Sequence, residues 1–220
     1  MSVGDYVATS LVSSEYLLKS NNDMSFANDL AYILYGADCS KEQVDEIYKS
    51  LDSTSRIYVI DEFIKDVDSK YALTNSDIDE KGSQIKNCNI TKKLSSSDAK
   101  YTIGIRQVEG QIEITGDEVR TDFYVDGTLY QASIIHDDDL KNFTVSWDTS
   151  GVAEGKHEVK ILLRSSDGRG YVAEGGEVLI PHCMEIANNG VSDGSILSGE
   201  DGSWYALFVE EGDAYVNFVD

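Results

Sequence analysis

The stretch Asn142-Phe-Thr-Val-Ser-Trp-Asp148 alternates apolar and polar residues, so Phe143, Val145 and Trp147 share one side of an extended chain. Thr144 and Ser146 take the other side. Downstream, Val159, Ile161 and Leu163 repeat the period of two. Upstream it recurs at Phe123 and Val125, at Ile112 and Ile114, and at Tyr101, Ile103 and Ile105. Turn signals punctuate the run at Glu109-Gly110, Asp126-Gly127, Glu154-Gly155, Asp167-Gly168 and Gly175-Gly176. Short strands at this spacing predict an antiparallel β-sandwich over residues 99–181, closed by Pro181.

On the N-terminal side the period lengthens to that of a helix. Phe26, Leu30, Ile33 and Leu34 form one apolar stripe ending at Gly36, a favoured residue just past a helix C-terminus. Ser40-Lys-Glu-Gln43 is a capping box ahead of Val44, Ile47, Tyr48 and Leu51. Ile57, Ile60, Phe63, Ile64 and Val67 mark a further helix, and Val7, Leu11 and Leu18 a first one running toward Asn21-Asn22. Residues 1–73 therefore read as a small all-α cluster of four helices. Residues 74–98 read as a polar linker with one short strand around Ile85 to Ile90, which predicts that the flanking modules fold independently. Residues 182–220 hold three short strands, too little chain for an independent core, and read as an incomplete β tail or one packed on the sandwich. The fold class is α+β and multidomain.

The chain has 220 residues, with 18 Lys+Arg against 40 Asp+Glu and a formal net charge of −22. Hydrophobic residues make up 41%, which separates it from a disordered acidic tail. The charge argues against nucleic acid and anionic membrane surfaces as partners, because both require clustered Lys and Arg. No run approaches the ~18 apolar residues of a spanning helix, so membrane insertion is not expected. Met1-Ser-Val-Gly-Asp5 lacks the basic and apolar regions of a signal peptide; a secreted chain would have lost its leader or used another route. Cys39, Cys88 and Cys183 are an odd set that forms no complete disulfide framework, and nothing near His182-Cys183 completes a zinc site.

No acyl-transfer motif and no phosphate loop is present, and neither His136 nor His157 has an identifiable nucleophile partner. His157, beside the Gly155 turn, reads as structural. Asp77-x-Asp79-x-Lys81-Gly82 begins like a calcium loop, but Lys81 takes a ligand position and Cys88 stands where a bidentate Glu belongs. The run Asp137-Asp138-Asp139 joins two β segments and is the candidate Ca²⁺ site, set against its reading as a solvated charge run. Asn89-Ile-Thr91 and Asn142-Phe-Thr144 match the glycosylation sequon, a triplet common by chance. Trp147 has the parity of the core row, whereas Tyr124 has the opposite parity to Phe123 and Val125. Tyr124, Tyr130 and Trp204 are the candidate ligand-binding rings, expected to face outward and stack on sugars.

Phe26-Ala-Asn-Asp-Leu-Ala-Tyr-Ile-Leu-Tyr-Gly36, Leu51-Asp-Ser-Thr-Ser-Arg56 and Val59-Ile-Asp-Glu-Phe63 resemble domain-of-unknown-function family 4214 across residues 5 to 72. Leu34-Tyr35-Gly36 and Thr54-Ser55-Arg56 match its motifs; Ala37 replaces its arginine and Tyr48 its tryptophan. Phe123-Tyr-Val-Asp-Gly127, Phe143-Thr-Val-Ser-Trp-Asp-Thr-Ser-Gly151 and Gly155-Lys-His-Glu-Val-Lys-Ile-Leu162 resemble bacterial immunoglobulin-like repeats. Gly194-Ser-Ile and Ser203-Trp-Tyr-Ala-Leu-Phe208 resemble the start of a pre-peptidase C-terminal β-domain. None of these families brings an established catalytic site. The resemblances imply a secreted or cell-surface location. With no catalytic motif and a charge of −22 that repels polyanions, the expectation is a non-catalytic bacterial protein that binds or displays, with a neutral polysaccharide or a surface protein as partner. The alternatives are an accessory fragment of a larger secreted hydrolase and a ligand-free structural spacer.

Overall fold

The structure, a computed structural model, describes residues 1–75, 78–94, 105–153 and 155–180, together with the strand backbone at 195–198, 204–210 and 213–219. Five helices come first: α1 (Val3–Leu11), α2 (Ser14–Lys19), α3 (Asp23–Tyr35), α4 (Lys41–Ser50) and α5 (Arg56–Val67). Their apolar stripes meet in one core built on Phe26, Leu30, Ile47, Val59 and Ile60, each fully buried, with half-buried Cys39 at its margin. The capping box at Ser40 forms: Gln43 N–H donates to Ser40 Oγ (3.3 Å) and Ser40 N–H to Gln43 Oε1 (2.8 Å).

The single first helix expected from Val7, Leu11 and Leu18 is instead two. Ser13 is extended and its hydroxyl accepts from Tyr16 N–H, which starts α2 afresh. The break sends Leu17 away from the helical core into a separate cluster with Tyr124 and Leu162.

Eight strands follow: β1 (Gln84–Lys92), β2 (Ile105–Thr115), β3 (Val119–Val125), β4 (Thr128–Leu129), β5 (Ser133–His136), β6 (Asn142–Asp148), β7 (Gly155–Ser165) and β8 (Gly170–Ile180). They form two antiparallel sheets, ordered β1-β2-β6-β5 and β4-β3-β7-β8. The inward rows of both enter one core, with the Phe123 and Trp147 rings 5.5 Å apart between the sheets. The backbone of β9 (Ser195–Ser198), β10 (Trp204–Glu210) and β11 (Asp213–Val219) forms a third antiparallel sheet, ordered β11-β10-β9.

Residues 74–98 read from the sequence as a linker with one short strand around Ile85 to Ile90. That strand is β1, longer than expected and part of the sandwich, pairing with β2 from Gln84↔Thr115 to Lys92↔Glu109 as one edge of the first sheet. Two of the glycine turn signals prove to lie inside strands. Gly110 sits in mid-β2 because a Cβ there would come 2.4 Å from the Phe143 ring packed over it. Gly176 has φ +101° at a bulge in β8. With β2 continuous through Gly110, Val108, Gly110 and Ile112 point inward and Ile105 is 71% exposed, correcting its assignment to the core row.

The helical module is also docked rather than tethered. Leu17 covers Leu162 and Tyr124 on the outer face of the second sheet, and Ser14 Oγ donates to Asp122 (3.1 Å). Beside this patch, Arg169 in the β7–β8 turn reaches Asp23 at the start of α3: Nε donates to Oδ2 (3.0 Å) and Nη2 lies 3.0 Å from the same oxygen. Arg169 also donates to the Leu51 carbonyl (2.6 Å) and to Asp167 Oδ2 (2.7 Å). Arg56 shares Asp23 (2.9 Å), lies over the Phe26 ring at 4.8 Å and gives its backbone N–H to the Asp167 carbonyl (2.7 Å). The Arg of the Thr54-Ser55-Arg56 turn is thus a fully buried keystone.

Candidate functional site

Of the two outer faces of the sandwich, the helices occupy that of the second sheet. Among the described residues nothing covers the first sheet's outer face, and cross-strand pairing arranges its side chains in rows. Asn89 pairs with Gln111, and Gln111 with Asn142, setting three amides side by side on β1, β2 and β6. Period-two alternation turns all three outward, because their neighbours Cys88, Ile112 and Phe143 point into the core. Asn87 and Glu113 form the adjacent row. Together with Lys141 they line an open depression of about 660 Å³.

The electrostatics of this depression are muted. Lys141 pairs with Asp139, whose hydrogen bond and charge raise the lysine pKa above its ordinary value. Asp137 Oδ1 accepts the backbone N–H of Asn142 (3.0 Å) and Oδ2 accepts its side-chain amide; the backbone bond is the leading reason its pKa falls below the usual carboxylate range. Cys88, beneath the floor, has its thiol pushed up to about 11 by burial, which leaves it neutral and a poor nucleophile. What remains is a hydrogen-bonding surface of uncharged donors and acceptors with a carboxylate, Glu113, that has no ion pair among the described residues.

The residues singled out in the sequence fare differently. Tyr124 is 5% exposed, packed with Leu17 and Leu162 under the helices, so it does not face solvent. Its parity is as read, but the face it points to is covered. Tyr130 is half-buried, its ring 5.9 Å from Trp147 in an edge-on contact at the core margin. Trp204 lies on β10, and its side chain falls outside the described residues. Trp147 is 1% exposed and belongs to the core row.

Asp137, Asp138 and Asp139 sit in the β5–β6 connection with two of the three already engaged by Asn142 and Lys141. Among the described residues, no group of three or more His, Cys, Asp or Glu is placed to hold a metal ion. Asp77 lies outside the described residues; Asp79 caps the Lys81 N–H (3.0 Å) and its carbonyl accepts from Ser55 Oγ (2.8 Å). His136 Nε2 meets Thr121 Oγ1 (2.9 Å) from the opposite sheet, and burial lowers its pKa. His157 Nδ1 meets Asp126 Oδ2 (2.7 Å) and Nε2 the Ala153 carbonyl (2.8 Å). Among the described residues, neither histidine has a Ser, Cys or Thr nucleophile oriented by it beyond the Thr121 contact that ties the sheets.

No family model matches the chain. No curated protein matches it either. Among solved structures, the X-ray structure of the endo-beta-1,4-mannanase from Thermotoga petrophila aligns with a TM-score of 0.28 and 12% identity, over 56% of this chain and 24% of that chain. The chain thus spans about a quarter of the length of that neighbour. A score that low does not establish a shared fold. Among the described residues, no helix is long and apolar enough to cross a membrane.

The amide row escaped the sequence reading because Asn89, Gln111 and Asn142 share no local motif; only strand register brings them together. A signal for the covered face was present. Phe123-Tyr-Val125 and Ile161-Leu-Leu163 are unbroken apolar runs, the pattern of strands buried on both sides.

Proposed function

We propose that this chain is a non-catalytic secreted or cell-surface protein that binds or displays, and that its ligand is a neutral polysaccharide seated on the open face of the first sheet. The observation carrying this reading is the depression lined by Asn87, Asn89, Gln111 and Asn142. Amides both donate and accept, as sugar hydroxyls do, and a chain of net charge −22 repels polyanions at low salt. With Tyr124 and Tyr130 withdrawn into packing, recognition here is by hydrogen bonds rather than ring stacking.

The immunoglobulin-like character of the sandwich belongs to the same proposal and is supported by strand order. Lettered in chain order as A, B, C, C′, D, E, F and G, the sheets read A-B-E-D and C′-C-F-G, the immunoglobulin division of strands. The buried tryptophan departs from the antibody pattern, since Trp147 lies on the sixth strand. The resemblance of residues 5 to 72 to the helical family is likewise proposed, supported by the structural use of Arg56 in its turn motif.

Affinity electrophoresis of the intact chain through gels holding neutral, uronic and amino-sugar polymers tests the function. Retardation by neutral polymers is expected, with weak affinity because an open platform buries little surface. Preferential retention by an acidic polymer would overturn the charge argument.

A further inference from the structure

The rows on the open face differ in how far their side chains satisfy one another. In the row on one side of the amides, Lys92 Nζ donates to Glu109 (3.0 Å). Farther along, Gln107 donates to Ser146 Oγ (3.3 Å). In the row Asn89–Gln111–Asn142, by contrast, Asn142 gives its amide N–H to Asp137, and its Oδ1 accepts no hydrogen bond among the described residues. The side chains of Asn89 and Gln111 show no hydrogen bond among the described residues.

Direction matters as much as composition. A ligand lying along β2 would meet Glu109, Gln111 and Glu113 in turn, carboxylate on both sides of the amide. A ligand lying across the strands meets Asn89, Gln111 and Asn142, three amides with no charge between them. Neighbouring strands are ~4.7–4.9 Å apart, close to the width of a pyranose ring, so the row offers one amide to each successive sugar of an extended chain.

Resting on the glycan reading of this face, we propose that an extended neutral polysaccharide binds across the strands, along Asn89, Gln111 and Asn142, with three consecutive sugars each contacting one amide. Glu109 and Glu113 flank this track and exclude uronic or sulfated sugars from it. Gln111, in the middle with its side chain uncommitted, is the specificity-determining residue.

The test is titration of the intact chain with cello-, xylo- and malto-oligosaccharides of increasing length. Affinity is expected to climb to about three sugars and then level, matching one contact per strand. Gln111→Ala is expected to weaken binding about tenfold, the worth of one or two lost hydrogen bonds, and Asn89→Ala by less. Ser133→Ala, on the same face outside the row, is expected to leave it unchanged. All three side chains are exposed, so melting temperatures should match the parent. Oligosaccharide binding that survives Gln111→Ala undiminished, or that does not depend on length, would overturn the track while leaving a glycan-binding protein. Failure of the parent chain to bind any neutral polymer or oligomer would overturn both, as would Gln111-dependent binding of a neutral unstructured peptide with none of sugar.

Discussion

Arg169→Ala tests whether the helical module and the sandwich form one folding unit. Arg169 is 21% exposed at its side chain, and its guanidinium bridges Asp23 of α3, the Leu51 carbonyl and Asp167, whose own side chain is fully buried. Truncation leaves Asp167 with the Ser165 hydroxyl and the residue 169 N–H as donors, and takes the guanidinium bonds away from the Leu51 and Thr54 carbonyls. Breaking a buried pair by removing one partner costs about 3–5 kcal/mol. Asp23 retains Arg56 and is 29% exposed, so the lower end, about 3 kcal/mol, applies here. For a chain of this size that lowers the melting temperature by roughly 6–12 °C. The assay is thermal unfolding followed by helical circular dichroism and by tryptophan fluorescence together. In the parent both probes should trace one transition, because the Arg169 bridge, the Leu17 patch and the backbone bond from Arg56 N–H to the Asp167 carbonyl all cross the junction. A variant within about 1 kcal/mol of the parent, or a parent whose helical signal melts in a step of its own, would refute the argument and restore two independent modules.

Trp147→Ala should cost about 3–5 kcal/mol in denaturant unfolding, since its ring fills the space between Phe123 and Tyr130; a loss below ~1 kcal/mol would place the ring outside the core. His157 has an acceptor at each ring nitrogen and satisfies both only as the imidazolium. Burial opposes that charge, but the hydrogen bonds to Asp126 and the Ala153 carbonyl outweigh it and raise the pKa above its ordinary value. Its contribution is therefore fully present below the unfolded histidine pKa of ~6.5 and is lost as pH rises through the raised folded value; His157→Ala should narrow its melting-temperature gap to the parent across that window, and a constant gap would sink the idea. Added Ca²⁺ should leave the melting temperature unchanged, because Asn142 and Lys141 already hold Asp137 and Asp139; a rise with metal concentration would reinstate Asp137 to Asp139 as ligands.

Much of the architecture is written in local periodicity. Phe143, Val145 and Trp147 alternate cleanly, and Phe26, Leu30 and Ile47 fall on helical stripes, so both core rows could be read before any fold was known. The failures have a common physical origin: a residue whose local signal is reassigned by a partner far along the chain. Gly110 signals a turn, yet it is a mid-strand glycine because Phe143 needs the space where a Cβ would stand. Ser13 sits where a helix should continue, yet it caps a new one so that Leu17 can reach Leu162. A short strand around Ile85 to Ile90 was legible, but its pairing along Gln84 to Lys92 was not, because only Cys88 in its middle is buried and its partner β2 begins more than ten residues downstream. Of the candidate site, the acidic run and the aromatic rings were visible as residues, but their availability was not, because burial of Tyr124 depends on a helix more than a hundred positions earlier in the chain.

The same reasoning explains why the two outer faces of the sandwich diverge. Tyr124 and Leu162 project from the second sheet with the parity of solvent-facing residues, and Leu162 is nonetheless fully buried. Apolar side chains on an outer face need cover, and α2 supplies it by means of Leu17. The first sheet projects mostly polar side chains, among them Asn89, Gln107, Gln111, Asn142, Thr144 and Ser146, with Ile105 and Ile135 as exposed apolar exceptions. Covering that face with helices would desolvate amides such as Asn89 and Gln111, whose side chains show no hydrogen bond among the described residues to replace water, at a cost of ~1–3 kcal/mol each. The helical module therefore has one face on which docking is favourable, and its docking leaves the amide-lined face free. A ligand for that face must bring its own donors and acceptors, which apolar or singly charged molecules do not and a hydroxyl-rich neutral polymer does.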